Sequence, residues 1–284
     1  EKINNIKKKL IAKLIIVNQK LKSKFKNKEN KDKKILKKNF IDSEILTWNG
    51  KKPSKNIQAI ARKKRYDLLL LRSKELKINN ILLGHHQDDL FENFFIRILR
   101  GSGLKGLVSM DFKTKVSNTN LLRPLLSCKK EDLEFISNYV YNFYIIDPSN
   151  KDEKYQRIRV RKLIEELQKN GLSKDKFNNT IKNLKYSDAV INFYKNENLK
   201  QNTFLNLKKK SLILNKNFFQ QPHEIVFRAF SDSLKIIGKK YYPVRGKKLD
   251  KIIFDLESNS RFRGTLGGCI IEKVNQSVII SREY

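Results

Sequence analysis

The sequence predicts an α/β protein whose parallel sheet is followed by a second, smaller α+β domain. A β-branched run at 10–17 (LIAKLIIV) is typical of a buried strand. Apolar residues recur with helical spacing over 56–76 and lead into a short strand at 81–83. The order strand, helix, strand favours parallel pairing. Polar residues directly after the strand at 81–83 place candidate chemistry at the carboxyl end of the sheet.

Further helices and strands divide the chain into two domains. Helices predicted over 88–100, 130–141 and 157–168, with a short strand at 144–146, continue the first domain. A helix over 176–196 runs into a polar stretch at 195–202 that is typical of a junction. We therefore predict domains at 1–198 and 199–284. The second domain is predicted from strands at 204–207 and 211–214, helices at 222–237 and 246–257, and a hairpin at Asn275-Gln276.

The composition describes a strongly basic chain without a membrane segment. Its 284 residues include 62 Lys and Arg against 29 Asp and Glu, a formal net charge of +33. No apolar run approaches the roughly 20 residues that cross a bilayer. The charge would concentrate RNA or DNA around the chain at low salt, although a basic surface without a specific partner is the alternative.

The cysteines exclude several classes of site. Only Cys128 and Cys269 occur, far apart and outside any CxxC pair. They cannot form a disulfide scaffold, a thiolate zinc site or an iron–sulfur cluster. A reducing cytoplasm is the expected location.

The polar residues after the strand at 81–83 are two histidines followed by two aspartates. If 88–100 is helical, one face carries Asp89, Glu92, Asn93, Arg97 and Arg100. Carboxylates one turn apart could hold Mg²⁺ or an ammonium group, or simply stabilise the start of the helix. His85 and His86 beside the aspartates also leave a metallohydrolase open.

Two groups of arginines are spaced to clamp phosphate or carboxylate groups. Arg62 and Arg65 form one group, and Arg157, Arg159 and Arg161 form the other. A guanidinium presents a planar fork of donors that suits both anions. A solvated basic surface is the alternative.

A long segment carries a family resemblance. Residues 81–110 read ILLGHHQDDLFENFFIRILRGSGLKGLVSM and closely resemble the GHHxDDxxET…RxxRGxGxxGL segment of bacterial tRNA(Ile)-lysidine synthases. Supporting matches follow in the family's order at 48–66, 122–126, 147–150, 157–163 and 265–283. The resemblance implies the Rossmann-like fold of the PP-loop ATP-pyrophosphatases (adenine nucleotide alpha hydrolase-like), with a helical linker to the second domain.

The resemblance also implies an activity and its partners. Members of the family are ATP-dependent ligases that use ATP with Mg²⁺ to adenylate carbon-2 of the wobble cytidine in CAU-anticodon tRNA(Ile). The ε-amine of L-lysine then displaces AMP and forms a carbon–nitrogen bond, which makes lysidine. No membrane partner is expected, and a homodimer is left open.

Residue roles follow from the same resemblance. Asp89 and Glu92 would hold the ammonium group of lysine. His85, Arg65 and Arg161 would contact phosphate or carboxylate groups around the activated intermediate. Further substrate contacts are expected from Arg62, His86, Arg97, Arg100 and Arg157. We assign no metal ligand.

The sequence departs from the family in three places. The SGGxDS loop, whose backbone amides and serine hydroxyl hold the phosphates of ATP, is absent, which should weaken ATP binding. The VDHxLR segment reads VNQKLK at 17–22, and the usual Thr is Asn93. The chain is either a fragment, which Glu1 in place of Met favours, or a catalytically inactive tRNA-binding remnant.

Two further alternatives concern the fold and the second domain. Related tRNA thiolases share the nucleotide fold, but they resemble one another in CxxC cysteines that this chain lacks. In the second domain, six basic residues would form either an acceptor-stem clamp or a charged surface. They are Arg228, Arg245, Lys247, Lys248, Arg261 and Arg263.

Overall fold

The computed structural model describes residues 14–19, 34–38, 40–48, 50, 57–142, 156–206, 210–240, 244 and 246–283. The chain divides into two compact units, Glu1–Ser173 and Lys174–Tyr284. Within the described residues, no helix has the length and apolarity that crossing a bilayer requires.

Parallel pairing occurs near the start of the first unit. Strand β1 (Leu14–Gln19) pairs in parallel with β2 (Ser43–Trp48). Helix α1 (Ile57–Glu75) packs against both strands and connects β2 to β3 (Asn80–Leu82). The predicted α/β class is confirmed, but β2 was missed because its sequence, SEILTW, mixes polar and apolar residues.

The strand β3 lies in a second, three-stranded sheet. It pairs in parallel with β5 (Thr119–Leu122), and β5 pairs antiparallel with β4 (Lys113–Val116). The two strands predicted to flank the crossover helix, β1 and β3, therefore lie in different sheets of the described chain. The strands β4 (KTKV) and β5 (TNLL) were not predicted.

Four further helices of the first unit follow β3 in the described residues. They are α2 (Gln87–Ile98), α3 (Leu104–Leu107), α4 (Lys130–Tyr141) and α5 (Gln156–Lys169). The predictions for α2, α4 and α5 are confirmed to within two residues at each end. Helix α2 packs against both α3 and α5, so it lies at the centre of this part of the chain. The strand predicted at 144–146 lies outside the described residues.

The second unit is an antiparallel sheet packed with helices. Its strand order is β6-β7-β10-β9-β8. The predicted hairpin is confirmed, with Asn275 in the left-handed region (φ 55°) at its turn. The elements are α6 (Lys174–Asn202), β6 (Thr203–Asn206), β7 (Ser211–Leu214), α7 (Lys216–Phe219), α8 (His223–Ile237), α9 (Gly246–Ser258), β8 (Phe262–Leu266), β9 (Cys269–Val274) and β10 (Ser277–Arg282).

One hydrophobic core holds the second unit together. Helix α8 contributes apolar residues three and four positions apart, which places them on one face toward the sheet. The core residues are Leu214, Phe218, Val226, Ala229, Phe230, Leu234, Ile237, Leu249, Ile253, Leu256, Cys269, Ile271, Val278 and Ile280. The α+β character of this unit follows from that packing.

The polar stretch at 195–202 is helical, so the predicted junction is wrong. Asn198 and Asn202 are buried, and the Asn202 side-chain amide donates to Asn198 Oδ1 at 2.8 Å. Asn198 in turn donates to the Phe218 carbonyl at 3.1 Å. Satisfied amides of this kind can end a helix inside a core. The compact units therefore divide before α6, which packs against α8, whereas the predicted boundary at 198–199 falls within α6.

Gly267, between β8 and β9, tests the packing of the second unit. Gly267 has φ +67°, and a Cβ there would lie 2.7 Å from Val244 Cγ1. Gly267→Ala should therefore lower the free energy of unfolding by about 3 kcal/mol, through both backbone strain and overlap. Urea unfolding measures the change. The control, Gly246→Ala at the first residue of α9, meets only an ordinary contact at 3.6 Å and should change stability little. Equal effects of the two changes would contradict the packing described.

Candidate functional site

The turn between β3 and α2 is fixed by main-chain hydrogen bonds. His86 is the extended N-cap residue of α2 (φ −121°, ψ −174°). Its backbone N–H donates to Asp89 Oδ2 at 3.1 Å, as acidic side chains commonly do at a helix start. The next N–H, of Gln87, donates to the Cys128 carbonyl at 3.1 Å. The polar residues after β3 are therefore held in one place.

Helix α2 buries both an apolar face and one carboxylate. Leu90, Phe91 and Phe94 are buried, as the helical spacing predicts. Glu92 is also buried, with 1% of its surface exposed. Helix α5 packs against α2 and brings Arg157 and Arg161, one turn apart, to the same region.

Two carboxylates of α2 face two guanidinium groups of α5. Arg161 Nε donates to Glu92 Oε1 at 2.5 Å. Arg157 lies farther away, with Nη1 3.8 Å from Asp89 Oδ1 and Nε 3.8 Å from Glu92 Oε2. The structure thus brings together four of the predicted site residues and shows which acid pairs closely with which arginine.

Burial dominates the electrostatics of Glu92. Loss of solvent raises the pKa of this carboxyl above its usual range, although Arg161 and Arg157 act in the opposite direction. A raised pKa means that the ionised form is held at a cost and that the carboxylate is a stronger base than usual. Groups perturbed in this way are concentrated at functional sites.

His85 is neutral at physiological pH. Burial lowers the pKa of its imidazole to about 4, against the opposing effect of Asp89. The positive charges of Arg123, Arg62 and Arg157 lower this pKa further. A neutral imidazole can both donate and accept a hydrogen bond.

The remaining predicted arginines lie around this centre or on its edge. Burial and the neighbouring charges of Arg100 and Arg62 hold the pKa of Arg97 below its usual range. Arg100 is exposed and donates to Gln156 Oε1 at 3.3 Å. Arg65 is exposed on α1, one turn after Arg62, and no described contact joins it to the centre.

Several buried polar atoms near the turn have no hydrogen-bond partner. Among the described side chains, five of the six such atoms belong to the first unit. They are His85 Nδ1, His86 Nδ1, Gln87 Oε1, Glu92 Oε2 and Arg123 Nε. Because buried polar atoms are normally paired with protein or water, these atoms are available to a polar ligand. We call these residues, with Asp89, Arg157 and Arg161, the α2 site.

Sequence reasoning missed Gln87 and Arg123. Arg123 is buried and donates through Nη1 to the Asp111 carbonyl at 2.8 Å and to Thr114 Oγ1 at 2.9 Å. The LRPLL match at 122–126 was the available signal for it. Gln87 lies between recognised residues and gave no signal of its own.

The metallohydrolase alternative gains no support. In the part of the chain that the structure describes, no three His, Cys, Asp or Glu side chains come together as metal ligands. His85 and His86 instead flank the helix start.

The basic residues of the second unit do not act as one group. Arg228 is buried, with Nη1 2.5 Å from Asp188 Oδ1 and Nε 2.6 Å from Glu224 Oε1, so it belongs neither to a surface clamp nor to a charged surface, the two alternatives left open for it. Lys247 and Lys248 are exposed, and Arg245 lies outside the described residues. Arg261 and Arg263 line a cleft of about 960 Å³.

Comparison with known proteins identifies the family. Residues 2–167 match the PP-loop domain. The chain is 32% identical over 251 residues to the tRNA(Ile)-lysidine synthase of a Wolbachia symbiont of Brugia malayi, covering 87% of this chain and 57% of that protein. It is 35% identical over 251 residues to the tRNA(Ile)-lysidine synthase of Orientia tsutsugamushi, covering 84% and 56%. The chain thus spans a little over half the length of these relatives.

A solved structure supports the fold. The U34-tRNA thiolase of Methanococcus maripaludis, determined with its [4Fe-4S] cluster, aligns with a TM-score of 0.50 at 15% identity. The alignment covers 61% of this chain and 60% of the thiolase. At this identity the similarity concerns the fold alone. Because the PP-loop domain matches more than half of its residues, the chain belongs to the PP-loop domain family, and the two relatives named above are tRNA(Ile)-lysidine synthases.

Proposed function

We propose that this chain takes part in the ATP-dependent attachment of L-lysine to carbon-2 of the wobble cytidine in CAU-anticodon tRNA(Ile). The observation that carries the proposal is the buried Glu92 carboxylate, one turn from Asp89 and surrounded by arginines, in a chain related to tRNA(Ile)-lysidine synthases. The site thus offers anionic groups to an ammonium and cationic groups to phosphates.

The reaction needs both a better leaving group and a neutral amine. When bound, ATP would supply the leaving group, since the cytidine O2 attacks the α-phosphorus, pyrophosphate departs, and amine attack at carbon-2 later expels AMP. The chain's own residues would position the amine and remove its protons. Holding the two reactants together accounts for much of the rate gain in such enzymes.

Asp89 and Glu92 would bind the lysine ammonium. Their side chains are 15% and 2% exposed, so a bound ammonium would be largely shielded from water. Glu92 Oε2 has no hydrogen-bond partner and could accept an N–H. Because burial raises the pKa of Glu92, this oxygen is also suited to take a proton from the ammonium and leave a neutral amine.

The arginines and His85 would contact anionic groups. The positive charges of Arg123, Arg62 and Arg157 all act on the neutral His85 ring. Such charge concentrations bind phosphates. The described residues therefore fit the phosphates of ATP, whereas Mg²⁺ belongs to the proposal only as a companion of those phosphates. Arg65, Arg97, Arg100 and His86 keep their predicted roles as substrate contacts.

The second unit would contribute to tRNA binding. Its cleft of about 960 Å³ combines exposed cations with aromatic rings, including Arg261, Arg263 and Phe262. Cationic and aromatic side chains together suit RNA, and the net charge of +33 adds attraction at low salt. The cytoplasm, which would keep both cysteines reduced, is the proposed compartment. The homodimer stays a prediction.

Lysine attachment tests the proposed roles. Asp89→Asn and Glu92→Gln should each lower incorporation of labelled lysine into a CAU-anticodon tRNA(Ile) transcript by about 100-fold, because the ammonium loses a charged partner. Binding of the same transcript should change less than about twofold, since neither residue belongs to the basic surface. The assay contains ATP, Mg²⁺ and the 284-residue chain.

The matched control is Glu166→Gln, which removes an exposed carboxylate of α5 that pairs with Lys169 at 2.7 Å. It should leave incorporation unchanged. Equal loss of incorporation and tRNA binding in the Asp89 variant would contradict the assigned role. A wild-type chain that binds the transcript but attaches no lysine would contradict the proposed activity for this chain.

The α2 site predicts that Arg161→Gln and Glu92→Gln lower the free energy of unfolding by unequal amounts. Arg161→Gln leaves the Glu92 charge buried beside a more distant Arg157, and removing one partner of a buried pair should cost about 3 kcal/mol at neutral pH. Glu92→Gln removes the buried charge, while Arg161, with 39% of its side chain exposed, can be hydrated, so the change should stay within about 1 kcal/mol.

The stability difference should depend on pH. Because the pKa of Glu92 is raised in the folded state, folding favours the protonated form, and the carboxylate destabilises the fold as pH rises. The Arg161→Gln deficit should therefore be smaller at acidic pH than at neutral pH. Urea unfolding of both variants across that range measures it. A deficit that is independent of pH would contradict the burial of a charged Glu92.

A further inference from the structure

The carboxylate proposed for the lysine ammonium already has an internal cation. Arg161 Nε lies 2.5 Å from Glu92 Oε1, a close charge-assisted hydrogen bond. Arg157 lies 3.8 Å from both Glu92 and Asp89. An incoming ammonium would therefore compete with the two arginines of α5 for the same oxygens.

Glu92 and its arginine partners differ in their exposure to solvent. The Glu92 side chain is 2% exposed, whereas the Arg161 and Arg157 side chains are 39% and 37% exposed. The carboxylate is enclosed, while more than a third of each arginine side chain is exposed. If the pair separates, the arginines can be hydrated in other positions, and the carboxylate stays where it is.

Charge balance indicates that an anion would favour separation of the arginines from the two carboxylates. Asp89 and Glu92 carry two negative charges and face Arg157 and Arg161. An added ammonium would place three cations against two carboxylates, with repulsion between like charges. A phosphate-bearing ligand would draw the guanidinium groups to itself, since arginine binds phosphate as a planar fork. Anion binding would thereby release the carboxylates for the ammonium.

We propose that Arg161 is a positioning residue that holds the Glu92 carboxylate until a phosphate-bearing ligand draws it away, so that lysine and the anion bind cooperatively. The inference rests on the proposed function and adds a coupling between its two ligands. Lysine binds more tightly where the phosphates are bound, which disfavours the amine in a site without an activated substrate.

Linkage makes the inference quantitative. If pyrophosphate raises the affinity for lysine by some factor, lysine must raise the affinity for pyrophosphate by the same factor. We expect a factor of about 10, within the range of ordinary coupling between sites. Isothermal titration of L-lysine into the 284-residue chain, with and without pyrophosphate as the probe anion, measures it. The reverse titration measures the second factor.

Two variants of α5 distinguish a specific role of Arg161 in the coupling between lysine and pyrophosphate from a general effect of removing positive charge. Arg161→Gln should lose most of the coupling between lysine and pyrophosphate, because the cation closest to Glu92 is gone and only the more distant Arg157 remains. Its lysine affinity without pyrophosphate should exceed that of the wild type. Lys169→Gln removes one positive charge from an exposed pair on the same helix and should keep the tenfold coupling, within about a factor of 2. Circular dichroism confirms that each variant is folded.

Arg161→Lys provides a second test if Arg161→Gln does not fold. It keeps the charge but loses the planar fork, so the coupling should fall below the wild-type factor. If pyrophosphate does not change the lysine affinity of the wild type, the inference is overturned and the proposed function still stands. Coupling that persists undiminished in Arg161→Gln would overturn the role of Arg161. No lysine binding in either condition would contradict the proposed function and the inference together.

Discussion

The buried charge of Glu92 is the constraint on which the α2 site depends. Moving a carboxylate out of water costs several kcal/mol unless cations and hydrogen bonds compensate. Its neighbours Leu90, Phe91 and Phe94 pack without needing an acid. Helix α5 supplies the compensation through Arg161 and Arg157, so the charge on α2 and the arginines on α5 require each other. A carboxylate held in this way is suited to bind a cation.

The second unit uses a similar pair for a different purpose. There the buried member is Arg228, whose carboxylate partners Asp188 and Glu224 are 17% and 48% exposed. The pair connects α6 to α8 beside the hydrophobic core. Among the described residues of this unit, Arg228 Nη2 is the one buried polar side-chain atom that lacks a hydrogen-bond partner. The cluster of such atoms around α2, rather than an ion pair as such, distinguishes a binding site from a structural contact.

The sequence could predict what local periodicity and motif spacing determine. Helical spacing placed Asp89 and Glu92 on one face of α2, and the family resemblance selected the arginines of α5. It could not predict that Arg161 pairs closely with Glu92 while Arg157 stays farther away, because the two helices are far apart in sequence. Arg228 was misread for the same reason, since its partner Asp188 lies forty positions away.

Predictions from local sequence patterns were also wrong where polar side chains are buried rather than exposed. The polar residues of 195–202 are typical of a linker, yet the amides of Asn198 and Asn202 pair with each other inside the fold. The strands β2, β4 and β5 lack a clear alternation of polar and apolar residues, and they are defined by pairing with a neighbouring strand. Gln87 is buried beside two recognised histidines, and only its three-dimensional position makes it notable.

The central claim is that the Glu92 carboxylate exists to bind an ammonium. A crystal structure of the chain with L-lysine and pyrophosphate tests it most directly. The account predicts the lysine Nζ within about 3 Å of carboxylate oxygens of both Asp89 and Glu92, with Arg161 withdrawn from Glu92 and in contact with the anion. Lysine bound elsewhere, with the Arg161–Glu92 hydrogen bond intact, would contradict the account.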